Sequence, residues 1–372
     1  MIPDADACQH ENLCQHAIAR RKTNANLFMG QFAVSLLLVA ICLMLFGCTS
    51  PRIIERAPEL LTPRLANAYA RMPDGYRLPL RVWQAQATDR DRPKTIVLGL
   101  HGFNDYANAF TPLALSLAKA GITTYAVDQR GFGAALLPGR WHGSEPLTAD
   151  LMVLARLLRQ QYPDARLFLV GESMGGAVMI NALASADLPV DGAVLIAPAV
   201  WSRDAMPWYQ RVGLDTLASI APSMKLTGEG VSIRPSDNVA MLRAMGQDPL
   251  VIKATRVDAL WGVTNLMDGA MAAVGKLHGP LLLLYGEQDE IIPRAAFCRM
   301  LKRLPDDADA IRLVLYRRGW HMLPRDLQGR RVHQDVIAWL HDPQGPLPSG
   351  EESSPGAQRT RAFCAGRSKM AR

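Results

Sequence analysis

The chain has 372 residues, 49% of them hydrophobic, and a formal net charge of +7. Without its two ends, a central block of about 280 residues remains, enough for one large α/β domain or for one domain with an insertion. Both signs of charge are mixed within this block, and no stripe of Lys and Arg alternates with aromatic residues. These features argue against a nucleic-acid-binding protein.

An uncharged apolar segment occupies residues 27–47 and is about long enough to cross a bilayer as a helix. Arg20, Arg21 and Lys22 precede it, as in signal and signal-anchor sequences. The segment runs into "LFGC", which resembles a bacterial lipobox whose cysteine, here Cys48, is lipidated after cleavage. An uncleaved transmembrane anchor is the alternative. Both hypotheses predict that the central block lies outside the cytoplasm, tethered to a membrane.

The cysteines lie mostly outside the central block, at Cys8, Cys14, Cys42, Cys48 and Cys364. Only Cys298 lies within it, so we expect no disulfide inside the domain. The stretch "CQHENLCQH" combines thiolates with imidazoles, which are zinc ligands, but its spacing fits no tetrahedral site. We therefore predict no metal, and interpret residues 1–50 as a solvated extension followed by the signal or anchor. The true start is either Met1 or Met29.

The other end, residues 343–372, is rich in Pro, Gly, Ser and charged residues. It has too little apolar surface to fold, and we predict a disordered basic tail. The folded domain is then expected at 64–342.

Short apolar runs alternate with amphipathic stretches through this domain. Near-continuous runs of Leu, Val and Ile predict strands that are buried on both faces, as in a parallel sheet. The predicted strands are 95–102, 123–131, 166–173, 193–200, 280–289 and 311–321, and the predicted helices are 108–121, 148–164 with Thr148 as N-cap, 174–187, 294–304 and 329–342. This alternation predicts a mostly parallel, doubly wound α/β sheet.

Residues 201–275 interrupt the alternation. They contain helical patterns without a convincing strand and are rich in Trp and Met. A mainly helical insertion between two sheet strands is interpreted as a lid, although ordinary core packing explains most of these side chains.

The sequence "GESMG" at 171–175 places one serine between a predicted strand and a predicted helix. This G-x-S-x-G context is typical of a nucleophile elbow, a strained turn that exposes the hydroxyl of Ser173 at the carboxyl edge of the sheet. Bulkier residues at Gly171 and Gly175 would collide with the flanking strand and helix. The sequence therefore predicts Ser173 as a nucleophile.

A serine hydroxyl needs a base to take its proton, and the base needs an orienting group. Asp289 follows one predicted strand and His321 follows the next, in the chain order serine, acid, histidine that this fold requires. Glu287 and Glu290 compete with Asp289 for the acid role. The other histidines after the serine lie on the last helix or before a strand.

The tetrahedral intermediate of acyl transfer also needs hydrogen-bond donors for its oxyanion. The backbone N–H of Met174 is one candidate, and the N–H of Phe103, next to the permissive Gly102, is the second. His101 precedes the serine, so we expect it to brace this loop by hydrogen bonds rather than to move protons.

These motifs resemble the monoglyceride lipase and lysophospholipase group of α/β-hydrolases. The shared stretches are "HGFNDY" at 101–106, "VDQRGFG" at 127–133, "GESMGG" at 171–176, "LLLLYGEQDEIIP" at 281–293 and "GWHML" at 319–323. The resemblance implies an α/β-hydrolase fold with a membrane-facing lid. It also implies the roles given above: Ser173 as nucleophile, Asp289 as acid, His321 as base, and Phe103 and Met174 as oxyanion donors. Glu172 stands where many relatives carry His, and the loop after His101 lacks the His and Arg common in the family.

The expected activity is therefore hydrolysis of a lipid carboxylic ester, such as a monoacylglycerol or a lysophospholipid, through an acyl-enzyme at a membrane surface. No cofactor or metal is required, and no obligatory protein partner is evident. A thioesterase, a proline-type peptidase or a carbon–carbon hydrolase would use the same triad, so these alternatives stay open. A binding or scaffold protein on a hydrolase frame is the non-enzymatic alternative. Dehalogenases and epoxide hydrolases carry Asp at the elbow, which Ser173 argues against.

Overall fold

Residues 51–86, 93–228, 230, 232–305, 310–353 and 357–366 are described by a computed structural model. The strands of this part are β1 (Arg64–Leu65), β2 (Tyr69–Arg71), β3 (Arg77–Trp83), β4 (Thr95–Leu100), β5 (Thr123–Val127), β6 (Arg166–Glu172), β7 (Gly192–Ile196), β8 (Lys225–Thr227), β9 (Ala254–Arg256), β10 (Leu281–Gly286), β11 (Ile311–Tyr316) and β12 (Glu352–Ser353). The α-helices are α1 (Thr111–Lys119), α2 (Ser144–Gln161), α3 (Met174–Ser185), α4 (Trp208–Ile220), α5 (Val239–Gln247), α6 (Val257–Ala273), α7 (Arg294–Leu301), α8 (Gly329–His341) and α9 (Gln358–Ala365).

Ten strands form the central sheet, in the order β1-β2-β3-β5-β4-β6-β7-β10-β11-β12. The six strands from β5 to β11 in this order pair in parallel, whereas the strands at both ends pair antiparallel. This is the mostly parallel α/β-hydrolase sheet that the sequence predicted, and the six predicted strands all lie in its centre.

Alternate side chains of each parallel strand enter opposite cores. In β4, Ile96 and Leu98 pack on the side covered by α2, α3, α6 and α7, whereas Val97 packs on the side covered by α1 and α8. Burial on both faces explains why the sequence of these strands is almost uniformly apolar. The carboxyl ends of the parallel strands share one edge of the sheet, and Ser173, Asp289 and His321 follow β6, β10 and β11 at that edge.

Several predictions about local structure are wrong. Helix α2 begins at Ser144 with Gly143 (φ 96°) as its N-cap residue, so Thr148 lies inside the helix, where its hydroxyl donates to the carbonyl of Ser144 at 2.9 Å. The insertion 201–275 contains α4, α5 and α6 but also the antiparallel pair β8–β9. The antiparallel strands β1 to β3 were not predicted, since most of their residues are not fully buried and show no continuous apolar run.

Two further predictions are wrong: that the C-terminal tail is disordered, and that the folded part of the chain has no disulfide. Residues 343–353 and 357–366 are ordered against the domain: β12 pairs with β11, and Cys364 on α9 forms a disulfide with Cys298 on α7. Phe363 packs on the ring of Tyr285, with ring centroids 5.9 Å apart. Strand pairing, one apolar ring and one covalent link therefore supply the attachment that the composition of the tail did not suggest.

Candidate active site

Ser173 lies in the turn between β6 and α3. Its backbone has φ 52° and ψ −113°, a combination that residues with side chains rarely adopt. The turn tolerates no bulk on either side, because a Cβ at Gly171 would clash with the sulfur of Met179, and a Cβ at Gly175 would clash with the carbonyl of Leu100. The backbone N–H of Ser173 donates to the carbonyl of Ile196 at 2.9 Å. This turn therefore has the strained geometry of the predicted nucleophile elbow.

Asp289 and His321 follow β10 and β11, which are parallel neighbours in the sheet. Nδ1 of His321 donates to Oδ2 of Asp289 at 2.8 Å, and the Asp289 side chain is completely buried. The other carboxylate oxygen accepts hydrogen bonds from the N–H groups of Ile291 and Ile292, at 2.8 and 2.9 Å. With Nδ1 fixed as a donor, a neutral imidazole has its acceptor at Nε2, which is the form that a general base needs.

The pKa of His321 is raised above its usual value. Burial alone lowers this pKa, but the charge of Asp289, the hydrogen bond to it and the charge of Glu172 raise it by more. The charge of Arg325 acts in the lowering direction. Glu172 directly precedes Ser173, so a carboxylate at the elbow contributes to the raised pKa of the imidazole.

The two competing carboxylates have other partners. Glu287 forms an ion pair with Arg359 at 3.2 Å, and Glu290 accepts a hydrogen bond from the N–H of Arg234 at 2.7 Å. Of the three acids in this loop, Asp289 is the one bonded to the imidazole.

The loop after β4 lies against the elbow. A Cβ at Gly102 would sit 3.3 Å from Cβ of Ser173, so this loop approaches the serine through a residue without a side chain. Phe103 packs edge-on against Phe132 and Trp141. Across the turn, Met174 is the first residue of α3, where backbone N–H groups have no partner within the helix and carry a positive partial charge.

His101 is fully buried, and both of its ring nitrogens are engaged. Nδ1 donates to the carbonyl of Gly102 at 2.8 Å, and Nε2 accepts from the N–H of Gln129 at 3.0 Å. Burial lowers the pKa of His101, although the hydrogen bond to Gly102 and nearby carboxylates act in the opposite direction. A neutral ring held on both sides supports the loop and has no lone pair free to accept a proton.

Sequence reasoning missed Arg325, which lies four residues after His321 in the same loop. Its buried guanidinium donates from Nη1 to Oδ2 of Asp105 at 2.7 Å and from Nη2 to Oε1 of Glu172 at 3.0 Å. The only sequence signal was indirect: two acidic residues stand inside buried motifs, and buried carboxylates require a partner.

The insertion 201–275, predicted to be a lid, is hydrogen-bonded to the loop that carries His321, a second feature that the sequence did not reveal. The carbonyl of Pro235 accepts from the N–H of Met322 at 3.1 Å, and the hydroxyl of Ser236 donates to Asp326 at 2.6 Å. Asp326 in turn accepts from the N–H of Trp320 at 2.7 Å. Lid and histidine loop are therefore one hydrogen-bonded unit.

The predictions that concern residues 1–50, among them the apolar segment 27–47, Cys48 and the "CQHENLCQH" stretch, lie outside the described residues. Within the residues that are described, no group of His, Cys, Asp and Glu is arranged to hold a metal ion. No helix in that same part of the chain is both long and apolar enough to cross a bilayer.

A serine at a strained strand-to-helix turn, a buried acid–histidine pair and a mostly parallel sheet define an α/β-hydrolase. Residues 91–328 match the family described as Serine aminopeptidase, S33, and the chain belongs to this family.

Curated relatives confirm the resemblance to monoglyceride lipases. Monoglyceride lipase from Mus musculus is 27% identical over 299 residues, which cover 77% of this chain and 92% of the relative. Monoacylglycerol lipase from Mycolicibacterium smegmatis is 27% identical over 276 residues, covering 72% and 93%.

Solved structures are similar in fold. A soluble variant of monoglyceride lipase from Saccharomyces cerevisiae superposes with a TM-score of 0.64 at 18% identity, over 79% of this chain and 100% of that one. Paleococcus ferrophilus monoacylglycerol lipase gives a TM-score of 0.59 at 22% identity, over 72% and 99%. At these identities the structures establish the α/β-hydrolase fold.

Proposed function

We propose that the protein is a serine hydrolase that cleaves carboxylic esters of lipids, with Ser173 as nucleophile, His321 as base and Asp289 as the orienting acid. The observation that carries the proposal is the 2.8 Å hydrogen bond between Asp289 and His321 at the sheet edge that bears the strained Ser173 turn. A buried acid–imidazole pair beside an elbow serine is the arrangement that acyl transfer requires.

The reaction begins when Nε2 of His321 takes the proton of Ser173 as its oxygen attacks the ester carbonyl. The charge of the tetrahedral oxyanion is stabilised by the backbone N–H groups of Phe103 and Met174. The imidazolium then gives its proton to the departing alcohol, which leaves an acyl-enzyme. A water molecule, deprotonated by the same imidazole, attacks this ester and releases the fatty acid, and Ser173 recovers its proton.

The surface of the lid is evidence for a lipid substrate. Of the 16 large hydrophobic side chains that are exposed among the described residues, nine lie in the lid: Trp208, Tyr209, Val212, Ile220, Met224, Leu226, Ile233, Val239 and Leu250. Trp208 is 70% exposed and opens α4. Such a surface suits contact with lipid, and each methylene of an acyl chain moved from water into an apolar site contributes about 0.8 kcal/mol. The names of the relatives, monoglyceride and monoacylglycerol lipase, point to the same substrate class.

A peptidase is the second candidate, because the family to which the chain belongs is described as a serine aminopeptidase. Thioester and carbon–carbon bond hydrolysis would use the same triad. The bond that is cleaved depends on the pocket and the lid, and substrate competition decides between these reactions.

The test is a hydrolysis panel with a monoacylglycerol, a lysophospholipid, an acyl thioester and an N-terminal proline peptide, using protein that begins near residue 50. We expect the highest kcat/KM on a long-chain ester. A fluorophosphonate probe should label the wild type and leave Ser173→Ala unlabelled. Peptide cleavage without ester cleavage would favour the second candidate, and an unlabelled, folded wild type would favour a scaffold.

Membrane tethering through Cys48 or through an uncleaved 27–47 segment, with the domain outside the cytoplasm, completes the proposal. The Cys298–Cys364 disulfide supports an oxidising compartment, since such bonds rarely persist in the cytosol. In a bacterial host, Cys48→Ser should abolish lipid labelling of the protein and change its gel mobility. Unchanged mobility with retained membrane association would favour the uncleaved anchor, and secretion of an unlabelled wild type would contradict tethering.

A further inference from the structure

Three loops meet around the guanidinium of Arg325. Asp105 belongs to the loop that carries Phe103, Glu172 is the last residue of β6 before Ser173, and Arg325 itself lies in the loop of His321. The side chain of Arg325 is 6% exposed, and those of its two partners are 7% and 5% exposed. These charges therefore interact with little screening by water.

Each partner of Arg325 is fixed to its own loop. The N–H of Asp105 donates to the carbonyl of Gly102 at 3.3 Å, and Oδ1 of Asp105 accepts from the N–H of Tyr106 at 2.9 Å. Glu172 is held by the pairing of β6 with β7. A displacement of the guanidinium would therefore shift the elbow and also the loop of Phe103 and Asp105, which we call the oxyanion loop.

The shape of arginine matters here. Its planar fork reaches two carboxylates from two different loops with separate nitrogens, which a single ammonium group reproduces poorly. Nε of Arg325 is buried and makes no hydrogen bond with the described residues. An unpaired buried N–H destabilises the fold, so stability alone does not explain why a guanidinium is present at this position.

We infer that Arg325 is a positioning residue that holds the oxyanion loop, the nucleophile elbow and the histidine loop in catalytic alignment, acting through Asp105 and Glu172. This inference rests on the proposed function of Ser173, Asp289 and His321. It predicts that Arg325 affects kcat, and that the affinity for substrate depends on the lid instead.

The same cluster adjusts the base. The charges that act on His321 are those of Asp289 after β10, Glu172 at the end of β6 and Arg325 in its own loop. Glu172 raises the pKa of His321 and Arg325 lowers it. Because the imidazole must be neutral to accept the serine proton, kcat/KM rises with pH through this pKa. Loss of the Glu172 charge should move that limb to lower pH, and loss of the Arg325 charge should move it to higher pH.

The experiment compares Arg325→Met, Arg325→Lys and Glu172→Gln with wild type, using a soluble short-chain ester, and measures kcat, KM, the pH profile and thermal unfolding. The matched control is Arg312→Met, because Arg312 lies at the amino end of β11, the end of the strand opposite His321, and its guanidinium binds Glu352 at 2.6 Å. We expect Arg325→Met to lower kcat about 100-fold with KM nearly unchanged, as for a displaced catalytic group. Arg325→Lys should lower kcat without moving the pH limb.

Arg312→Met should lower the unfolding temperature and leave kcat and the pH limb as in wild type. If Arg325→Met fails to fold, Arg325→Lys and Glu172→Gln carry the test. Folded Arg325 variants with wild-type kcat would overturn the inference, as would pH limbs that do not move in opposite directions for Glu172→Gln and Arg325→Met. Full activity in Ser173→Ala would instead overturn the proposed function.

Discussion

Asp289 and His321 are joined through Oδ2 and Nδ1 at 2.8 Å, while the other oxygen of Asp289 is held by two backbone N–H groups. The carboxylate thus has one orientation available, and the imidazole tautomer follows from it. Asp289→Asn should lower kcat by about 10⁴-fold with little change in stability, because an amide can present its NH₂ to Nδ1 and stabilise the wrong tautomer. Steady-state kinetics and thermal unfolding check this expectation.

Glu287→Gln is the matched control, since Glu287 is paired with Arg359. Its kcat should stay within a few-fold of wild type. If Glu287→Gln loses activity and Asp289→Asn keeps it, the acid has been assigned to the wrong residue.

The elbow turn stores backbone strain that glycine would relieve. Because Ser173 has φ 52° with ψ −113°, Ser173→Gly should be more stable than Ser173→Ala by about 1 kcal/mol. Chemical denaturation of both variants measures the difference.

Ser185, the last residue of α3, provides the comparison. There the order should reverse, with glycine less stable than alanine by about 0.5–1 kcal/mol, as in other helices. The same order at both positions would mean that the turn at Ser173 is not strained.

The disulfide between Cys298 and Cys364 closes a loop with a sequence separation of 66 residues. Its loss should lower the free energy of unfolding by about 4 kcal/mol on the loop-entropy estimate. Cys364→Ser and wild type in reductant should lose equal stability, and reductant should have no further effect on Cys364→Ser. A wild type whose unfolding is insensitive to reductant would show that the bond is absent in solution.

His142 is buried beside Tyr76 and Arg130, and burial together with the Arg130 charge lowers its pKa from 6.5 to about 4. The unfolded chain therefore takes up this proton at higher pH than the folded protein. Stability should fall as the pH drops from about 6.5 towards 4, by about 3 kcal/mol in total, and then level off.

Denaturation at pH 7, 5.5 and 4.5 measures this loss for wild type and for His142→Phe, which keeps an aromatic ring against Tyr76. The variant should lose less stability between pH 7 and pH 4.5. Parallel curves for the two proteins would assign the acid sensitivity to other groups.

The sequence predicted those parts of the fold and site that depend on local pattern. Runs such as "LLLLYG" are strands because every side chain in them is buried, and a serine between glycines after such a run predicts its own turn. Asp289 and His321 were found because chain order and strand ends are also readable in sequence. Their roles, like those of Phe103 and Met174, stay predictions until variants are measured.

What the sequence did not reveal depends on contacts between distant residues. Arg325 meets Asp105 across 220 positions, and no local pattern records that proximity. The tail was predicted as disordered from its composition, but the pairing of β12 with β11, the Cys364 disulfide and Phe363 attach it to the domain. Composition measures how much apolar surface a segment carries, whereas a few well-placed contacts decide whether it is ordered.

The bonds between residues 235–236 and the loop at 320–326 have a consequence for chimaeric enzymes. Exchanging residues 201–275 as one piece would replace Pro235 and Ser236, and with them the hydrogen bonds to Met322 and Asp326 that hold the loop of His321. An exchange of substrate preference should therefore stop before residue 234 or bring the matching histidine loop with it. In this chain the segment expected to set substrate preference is thus hydrogen-bonded to the loop expected to carry the base.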